Sequence, residues 1–307
     1  MIESGFLTEG YFDNFNFDAE DLKEEGGDSG GIKQRRKWGR HTNGTTIRYE
    51  FAFSPNTGFL ASRDLLLNDT ELKISFDRTP AQTSLLEVGA VTSECKYLEI
   101  KDCYAVTEYV SSSDIRDYFS TIDHSPFVYE FEEVEVLVKN LPLNETDIRF
   151  DNIRGGRLPS FLFLGLVSQE ALNGDFSLSS TNFEPNNLTD LNITLNGNSV
   201  HGFPINIKNN SVIFPLQKFM DVTGQLYNSQ CASCFRIPEF QHNYIHAHRF
   251  EAESSDTGWI GVNFKLSSVP AKPMSLVLWS VSPSAITVDK FHSVERINYS
   301  FYSFPLI

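Results

Sequence analysis

The feature that most constrains the fold is a set of short stretches whose side chains alternate between two faces. The longest, FVYEFEEVEVLVKNL, covers residues 127–141 and alternates over a dozen positions. Because successive side chains of a β-strand point to opposite faces of the sheet, such a stretch is predicted to be a half-buried strand. The same pattern occurs in TTIRYEFAFS, residues 45–54, where one face carries Ile47, Tyr49, Phe51 and Phe53.

A continuous apolar run, FLFLGLV at residues 161–167, lies between Pro159 and a loop rich in Ser, Asn and Gly. A short apolar run bounded by turn residues is typical of a strand that is buried on both faces. We therefore expect another layer, such as a second sandwich or a neighbouring subunit, to cover its second face. The loop carries Glu170 and Asp175 without a nearby His, Cys or Lys, which gives no sign of local chemistry.

Turn signals define further strands along the chain. Asn196-Gly197 predicts a type I′ hairpin, because both residue types tolerate positive φ. Asn68-Asp69 predicts a second hairpin, formed by two short strands within residues 65–76. Strands are also predicted within residues 96–110, 258–268 and 275–291.

Only two short helices are predicted, one at residues 111–120 with Ser112 or Ser113 as N-cap and one at residues 214–226. Turn signals otherwise recur every eight to twelve residues, which indicates an all-β sandwich or barrel made of hairpins. A jelly roll fits better than a propeller or solenoid, because the sequence has no fixed-period repeat. The excess of 26 phenylalanines over three methionines agrees, since large rigid side chains suit sheet packing.

Residues 1–40 differ in composition from the rest and are expected to form a flexible charged arm. In this arm the acidic stretch DAEDLKEEGGDSGG precedes the basic stretch IKQRRKWGR. Opposed charge blocks beside glycines predict a solvated segment. The basic cluster from Lys33 to Arg40 is either a nuclear-import or nucleic-acid patch, or a solvated loop that pairs with its acidic neighbour. The net charge of −15 argues against bulk DNA binding, which requires an excess of Lys and Arg.

The N-terminal residues have neither the basic start nor the apolar core of a secretory signal peptide. No segment approaches the roughly eighteen apolar residues of a membrane span. We therefore expect a protein that is not secreted and whose cysteines are reduced thiols. These cysteines are Cys95, Cys103, Cys231 and Cys234.

The strongest candidate for chemistry is CASCFRIPEFQHNYIHAHRF, residues 231–250. A Cys-x-x-Cys pair followed by histidines can hold Zn²⁺, although the gap of seven residues before the first histidine is shorter than the usual finger spacing. The alternative is a polar strand with two small buried thiols. Strand spacing places the last two histidines on one face. The residues concerned are Cys231, Cys234, His242, His246 and His248.

A second comparison is with the cupins, which are jelly rolls that bind a metal through histidines and a glutamate. The glycine expected before the histidine pair is Phe240 here, and no Pro-x-Gly-x-x-His follows. The sequence also lacks a nucleophile elbow, a P-loop and a dinucleotide fingerprint. We therefore predict that the chain is not an enzyme, and we assign no catalytic, cofactor-binding or metal residue. A cupin-like site would use His246, His248, Glu251 or Glu253, and His292.

Several stretches in order resemble the major capsid protein of Polinton/Maverick elements and the related adintoviruses. The strongest, FLFLGLVSQEALNGDFSLSSTNFEPNNLTDLNITLNGNSV, covers residues 161–200. Collinear order over roughly residues 33–295 is more specific than any single motif. The other stretches are KQRRKW, LLLNDTELKISF, YLEIKDCYAVTEYV, FPLQKFMDVTG and GVNFKLSSVPAKPMSLVLWSVSPSAITVDKF.

The resemblance implies a double jelly-roll subunit that forms trimeric capsomers of an icosahedral shell. Its partners would be copies of itself in the homotrimer and in neighbouring capsomers, together with a minor capsid protein. The expected location is the virion, assembled inside the host cell, with no contact to membrane or to a specific nucleic-acid sequence. Loops such as residues 168–183 would project toward neighbours or solvent.

The resemblance also divides the chain into domains. Residues 41–123 match the later strands of a first jelly roll with a short linking helix, and residues 124–307 match a complete second one. The opening strands of the first would lie before Met1, so we expect a truncated or endogenised copy, or a subunit completed by another chain. Two alternatives remain: a minor capsid, penton or lectin-like single jelly-roll binding module and, more remotely, a cupin-like metal-dependent oxygenase.

Overall fold

The structure is a computed structural model of the 307-residue chain. It describes residues 126–185, 187–207, 211–224, 237–251 and 256–297, together with shorter stretches before residue 126. The predicted arm up to residue 39 and the predicted helix at 111–120 lie outside the described residues. The shorter stretches are residues 40–43, 46–49, 58–61, 65–66, 70–77, 79–84, 99–104 and 106.

Strands predominate in the described residues, and the helices are short. The strands are β1 (Arg40–Asn43), β2 (Thr46–Tyr49), β3 (Phe127–Asn140), β4 (Asp147–Arg157), β5 (Phe161–Ser168), β6 (Leu188–Leu195), β7 (Asn198–Ser199), β8 (Ile205–Asn206), β9 (Ile245–Arg249), β10 (Thr257–Leu266), β11 (Met274–Val288) and β12 (Val294–Ile297). The helices are α1 (Ala81–Ser84), α2 (Gln169–Asn173), α3 (Ile213–Val222) and α4 (Ile237–His242), with a 3-10 turn at Gly58–Ala61. No described helix has the length and apolar character needed to cross a membrane.

Two antiparallel sheets form the body of the described chain. The first has the order β3-β11-β5-β9, and β12 pairs with the end of β11 that lies beyond β5. The second has the order β4-β10-β6, and both β7 and β8 pair with β6. Successive strands alternate between the two sheets from β3 to β6 and again from β8 to β11, and β7 with β8 act as one interrupted strand beside β6. This order is that of an eight-stranded jelly roll, so the predicted all-β jelly-roll sandwich with few short helices is confirmed.

The core lies between the two sheets and is built from the alternation that the sequence shows. β5 contributes Leu162, Leu164 and Leu166, each at most 5% exposed. These side chains belong to the same apolar cluster as Ile193 of β6 and Val262 of β10, both fully buried. Burying a side chain of this size contributes roughly 1.5–3 kcal/mol, so this cluster is the main stabilising element of the sandwich.

The second face of β5 is also buried, as the apolar run predicts, but the expected source of the cover is wrong. Val167 and Val277 pack with Ala171 of α2 and with Phe183, whose ring lies edge-on to Trp279 at a centroid distance of 5.1 Å. We call α2, Phe183 and α3 the outer layer. It belongs to the same chain, rather than to a second sandwich or a neighbouring subunit. Residues 168–183 therefore fold back over the sheet and do not project away from it.

The hairpin predicted at Asn196-Gly197 joins β6 to β7. The two residues have φ of 51° and 82°, which is the pair of positive values that a type I′ turn requires. The side chain of Asn196 also accepts a hydrogen bond from the backbone N–H of Trp259 at 2.9 Å, which ties the turn to β10. The predicted helix at residues 214–226 is confirmed over its described part as α3, with Leu216, Phe219 and Val222 buried.

β11 contains a proline without losing sheet pairing. Pro283 lies between the residues of β11 that pair with β5, which end at Val281, and those that pair with β12, which begin at Ala285. Gln169 donates to the carbonyl of Pro273 at 2.9 Å, so odd-numbered residues of β11 point their backbone groups toward the β5 side. On this side Pro283 lies opposite neither β5 nor β12. Its lack of an N–H therefore removes no hydrogen bond between strands.

The described stretches before residue 126 fit the sequence predictions only in part. β2 confirms the strand predicted at residues 45–54 over Thr46–Tyr49 and pairs with β1. The strands predicted within residues 65–76 and 96–110 are wrong for the described residues, which have no strand there. Side chains in these stretches with strand-like composition are exposed instead, among them Ile100, Tyr104 and Val106. Alternation alone does not make a strand where no neighbouring strand supplies hydrogen bonds.

One stretch before residue 126 docks on the sandwich. The ring of Phe59, in the 3-10 turn, packs edge-on against Tyr129 and Phe131 of β3 at centroid distances of 5.7 and 6.0 Å. The hydroxyl of Tyr129 donates to the carbonyl of Leu65 at 3.2 Å. These contacts cover the end of β3 that extends past the core of the sandwich.

We expect Gly165→Ala to lower the free energy of unfolding by about 1–3 kcal/mol, because it overpacks the outer layer. A Cβ on Gly165 would lie 2.6 Å from Cδ1 of Phe183. Chemical denaturation measures the change. Gly155→Ala in β4 is the matched control, because its Cβ would meet nothing closer than Asn152 Oδ1 at 3.4 Å. Equal losses in the two variants would contradict the packing of Phe183 over β5.

Candidate functional site: a histidine cluster and the open edge of β3

The described residues include only part of the predicted cysteine–histidine site. Cys95, Cys231, Cys234 and Glu253 lie outside them. His242 ends α4, but its side chain lies outside the described part. Cys103 is an exposed free thiol. The zinc interpretation of the Cys-x-x-Cys pair is therefore still a prediction.

β9 places His246 and His248 on one face, as strand spacing predicts. They lie opposite Leu164 and Leu162 of β5, so both rings point into the sandwich. His246 is fully buried, and neither of its ring nitrogens has a hydrogen-bond partner among the described residues. A buried imidazole without partners is costly, so its neutral form is strongly favoured.

A third histidine, His201, completes a cluster that sequence reasoning missed. Its ring centroid lies 4.8 Å from that of His248 and 6.0 Å from that of His246, with interplanar angles of 90° and 89°. His201 follows β7 at the edge of the second sheet, and β9 forms the facing edge of the first. The signal that could have found His201 is the strand order of a jelly roll, because this order brings the two edges together. We call His201, His246 and His248 the histidine cluster.

Burial is the main reason why the pKa values of the histidine cluster are lowered. The pKa of His246 is lowered to about 3 and that of His248 to about 4, first by burial and then by neighbouring His201 and by Lys218. The pKa of the half-buried His201 is also lowered, first by burial and then by Lys218. Each protonated form would place a positive charge beside other basic groups. The cluster is therefore neutral at physiological pH.

The geometry of the histidine cluster favours aromatic packing over metal binding. The rings meet edge to face, and within the described residues no group of three His, Cys, Asp or Glu side chains is arranged to hold a metal. The other cupin ligands do not join the cluster: Glu251 is exposed, and His292 lies in the turn between β11 and β12 with φ of 59°. A cavity of about 20 Å³ beside His246 and Tyr244 has room for one water molecule but not for a substrate.

The second candidate is the outer face of the first sheet at β3. The outer layer covers β5 and β9 but leaves Val134, Val136 and Val138 exposed by 45, 54 and 49%. Among the described strands, β3 pairs only with β11. Within the described part of the chain, β3 is therefore an edge strand of fourteen residues whose outer face is apolar at these three valines.

Ion pairs lie beside the edge strand β3 at two of its glutamates. Glu135 binds Arg154 of β4 at 2.9 Å, and Glu133 binds Arg296 of β12. Arg154 also donates to the carbonyl of Arg157 and approaches the hydroxyl of Ser282, so it links the two sheets. The four glutamates of β3 lie at residues 130–135, and Val136, Val138 and Lys139 follow them.

The strand order places the chain in the class of jelly-roll sandwich proteins. No family model matches the sequence. A Caenorhabditis elegans protein, "Uncharacterized protein F54H12.2", is 26% identical over 186 residues, which make up 58% of this chain and 43% of that protein. The chain therefore spans less than half the length of this curated relative.

Solved structures with some likeness to this chain come from viral particles. The cryo-EM structure of the Sputnik virophage has a TM-score of 0.37 at 11% identity and covers 56% of this chain and 39% of that one. The mavirus major capsid protein has a TM-score of 0.35 at 8% identity, and the match covers 65% of this chain and 46% of that one. The capsid of the virus PBCV-1 has a TM-score of 0.33 at 10% identity, and the match covers 63% of this chain and 55% of that one. At these TM-scores the likeness carries no weight, and the fold assignment rests on the strand order.

We expect the free energy of unfolding to fall as the pH drops below about 6.5. The unfolded histidines bind protons there, whereas folded His246 and His248 stay neutral until about pH 3 and 4. The contribution of these two histidines to the free energy of unfolding is therefore fully present above the unfolded pKa. Below that pH it falls by up to about 1.4 kcal/mol per pH unit for each histidine. Urea denaturation across pH 4–8 measures this slope.

The variant His246→Leu should flatten this slope by about one proton, because it removes one buried imidazole. Tyr244→Phe is the matched control: it removes a buried hydroxyl without a partner among the described residues but no group that titrates in this range. An unchanged slope in His246→Leu would contradict the burial of that ring.

Proposed function

We propose that the chain is a capsid-type structural subunit that assembles with copies of itself. The observation that carries the proposal is a jelly roll whose own outer layer shields one half of the outer sheet face, while no described residue covers the valines of the edge strand β3. Proteins that act through shape assemble by complementary surfaces rather than through a reaction centre. The open face of β3, with Val134, Val136 and Val138 exposed, is such a surface.

The sequence resemblance to Polinton/Maverick and adintovirus major capsid proteins supports the same role. Its strongest stretch, residues 161–200, includes β5, the outer layer with Phe183, and the hairpin β6–β7. These elements define both the core and the cover of the sheet. The resemblance therefore falls on parts of the chain that set the shape of the subunit.

The finer proposal is a double jelly-roll subunit of trimeric capsomers in a virion. In it, residues 124–307 form the second jelly roll and residues 41–123 form part of the first. The exposed Ile100, Tyr104 and Val106 support this division, because a group of exposed apolar side chains is typical of a surface that another layer covers. That layer would come from further sequence or from another chain, with a minor capsid protein as an additional partner.

The second candidate function is a single jelly-roll binding module of the penton or lectin type. One observation favours it: the described residues contain a single complete jelly roll. Such a module would remain monomeric or form pentamers, and it would present its loops to a ligand. The state of association therefore separates the two candidates.

We expect the purified protein to form trimers and larger ordered assemblies as its concentration rises. Size-exclusion chromatography with light scattering gives the mass of the species, and negative-stain electron microscopy shows whether a repeating lattice or shell forms. Monomers or pentamers at every concentration would contradict the capsid-type proposal and favour the binding module. Circular dichroism on the same samples controls for folding.

A further inference from the structure

The free edge of β3 lacks the features that usually protect an edge strand. Such strands are commonly short, bulged or interrupted by proline, because unpaired backbone groups recruit other strands. β3 has fourteen residues, contains no proline, and keeps an unbroken register with β11 from Asn140 to Phe127. Its four glutamates lie at residues 130–135 and the 3-10 turn lies beside Glu132, so the part of its second half beyond Glu135 has neither a glutamate nor a described neighbour at its edge.

The backbone of this second half points its hydrogen-bonding groups toward the free edge at alternate residues. Leu141 donates its N–H to the carbonyl of Met274 at 2.9 Å, in register with the β3–β11 ladder. In an antiparallel pair the orientation alternates, so odd-numbered residues of β3 bond to β11 and even-numbered residues face outward. Val134, Val136 and Val138 therefore offer a partner both their side chains and backbone groups that no described strand pairs.

We propose that β3 pairs antiparallel with β3 of a second copy, centred on Val136, so that the first sheet continues across two molecules. This inference rests on the proposed self-assembly and names a contact between capsomers, because an isologous pair joins two copies and cannot by itself close a trimer. The pairing is isologous, because the same residues contribute from both copies.

The register follows from matching side chains across the two strands. A centre at Val136 sets Val134 opposite Val138 of the second copy, so all three valines meet valines. It also sets Lys139 opposite Glu133 of the second copy, which pairs opposite charges. Apolar and oppositely charged cross-strand pairs each contribute roughly 0.2–1 kcal/mol.

Other centres match fewer valines or set like charges opposite each other. A centre at Leu137 would pair Val136 with Val138 but would set Val134 against Asn140. A centre at Glu133 would place that residue against its own copy and would set Glu132 and Glu130 against Val134 and Val136. A centre at Glu135 would again place like charges directly opposite each other, which is destabilising. The self-complementary pattern of valines and charges favours a second copy of this chain over a different protein as the occupant of this edge.

The test is a disulfide that forms only in this register. In the double variant Glu133→Cys/Lys139→Cys, each substituted position lies opposite the other position of the second copy, with Cα atoms about 4.5 Å apart as in a non-hydrogen-bonded pair. That spacing permits a disulfide. Within one chain the two positions are six residues apart along a strand, about 20 Å, so they cannot join. Cys103→Ser is included in every variant, because Cys103 is exposed.

We expect this variant to form a covalent dimer on mild oxidation, seen by non-reducing gel electrophoresis and mapped by peptide mass spectrometry. The matched control is Glu132→Cys/Lys139→Cys, whose positions lie on opposite faces of the strand and should not join. A dimer in both variants would overturn the register. The absence of a dimer, while the unmodified protein still assembles, would overturn the β3 pairing and leave the proposed function standing.

If the unmodified protein does not self-associate at all, the proposed function and this inference fail together. A second variant guards against misfolding of the cysteine variants. Lys139→Glu sets like charges opposite each other and should weaken dimer formation at least several-fold by sedimentation velocity, whereas the exposed control Lys290→Glu should not. Equal association in the two charge variants would also overturn the pairing.

Discussion

The pairing of β11 with strands on both of its sides is the interaction on which the rest of the structure depends. β11 bonds to β3 along its length, and to β5 and then β12 on its other side. Because its side chains alternate, Leu276 and Leu278 enter the core while Val277 and Trp279 contact the outer layer. A slip of one residue would exchange these two sets. One register thus determines the core, the cover of the sheet and the position of the free edge.

The two edges of the first sheet have different chemistry, and the difference follows from where the outer layer ends. At β9 the sheet is covered by α3 and closed by the histidine cluster, where Phe219 packs against Phe163. Closure there buries the imidazoles of His246 and His248 and half-buries that of His201, which favours their neutral forms. At β3 no described residue covers the outer face of Val134, Val136 and Val138, which are exposed. The two edges therefore differ in burial, because the described outer layer reaches only one of them.

The sequence predicted the strands of the sandwich well, because alternation and apolar runs depend on local periodicity. The strand at residues 127–141, the doubly buried run at residues 161–167 and the hairpin at Asn196-Gly197 all occur as predicted. The expectation that another sandwich covers β5 was wrong, because a loop of polar composition gives no sign that Phe183 folds back onto Gly165. His201 was missed for a related reason: its partners on β9 are more than forty residues away in the sequence.

By itself, the amino-acid sequence determined which segments are strands, which faces of them are apolar, and where the chain turns. These are local properties, set by side-chain period and by residues that tolerate positive φ. Only the tertiary structure decided what lies against each apolar face: the outer layer over β5, the histidine cluster between the facing edges at β9, and no described cover over the valines of β3. Contacts between distant segments depend on the order of strands in the sheets, and a single sequence does not encode that order in any short pattern.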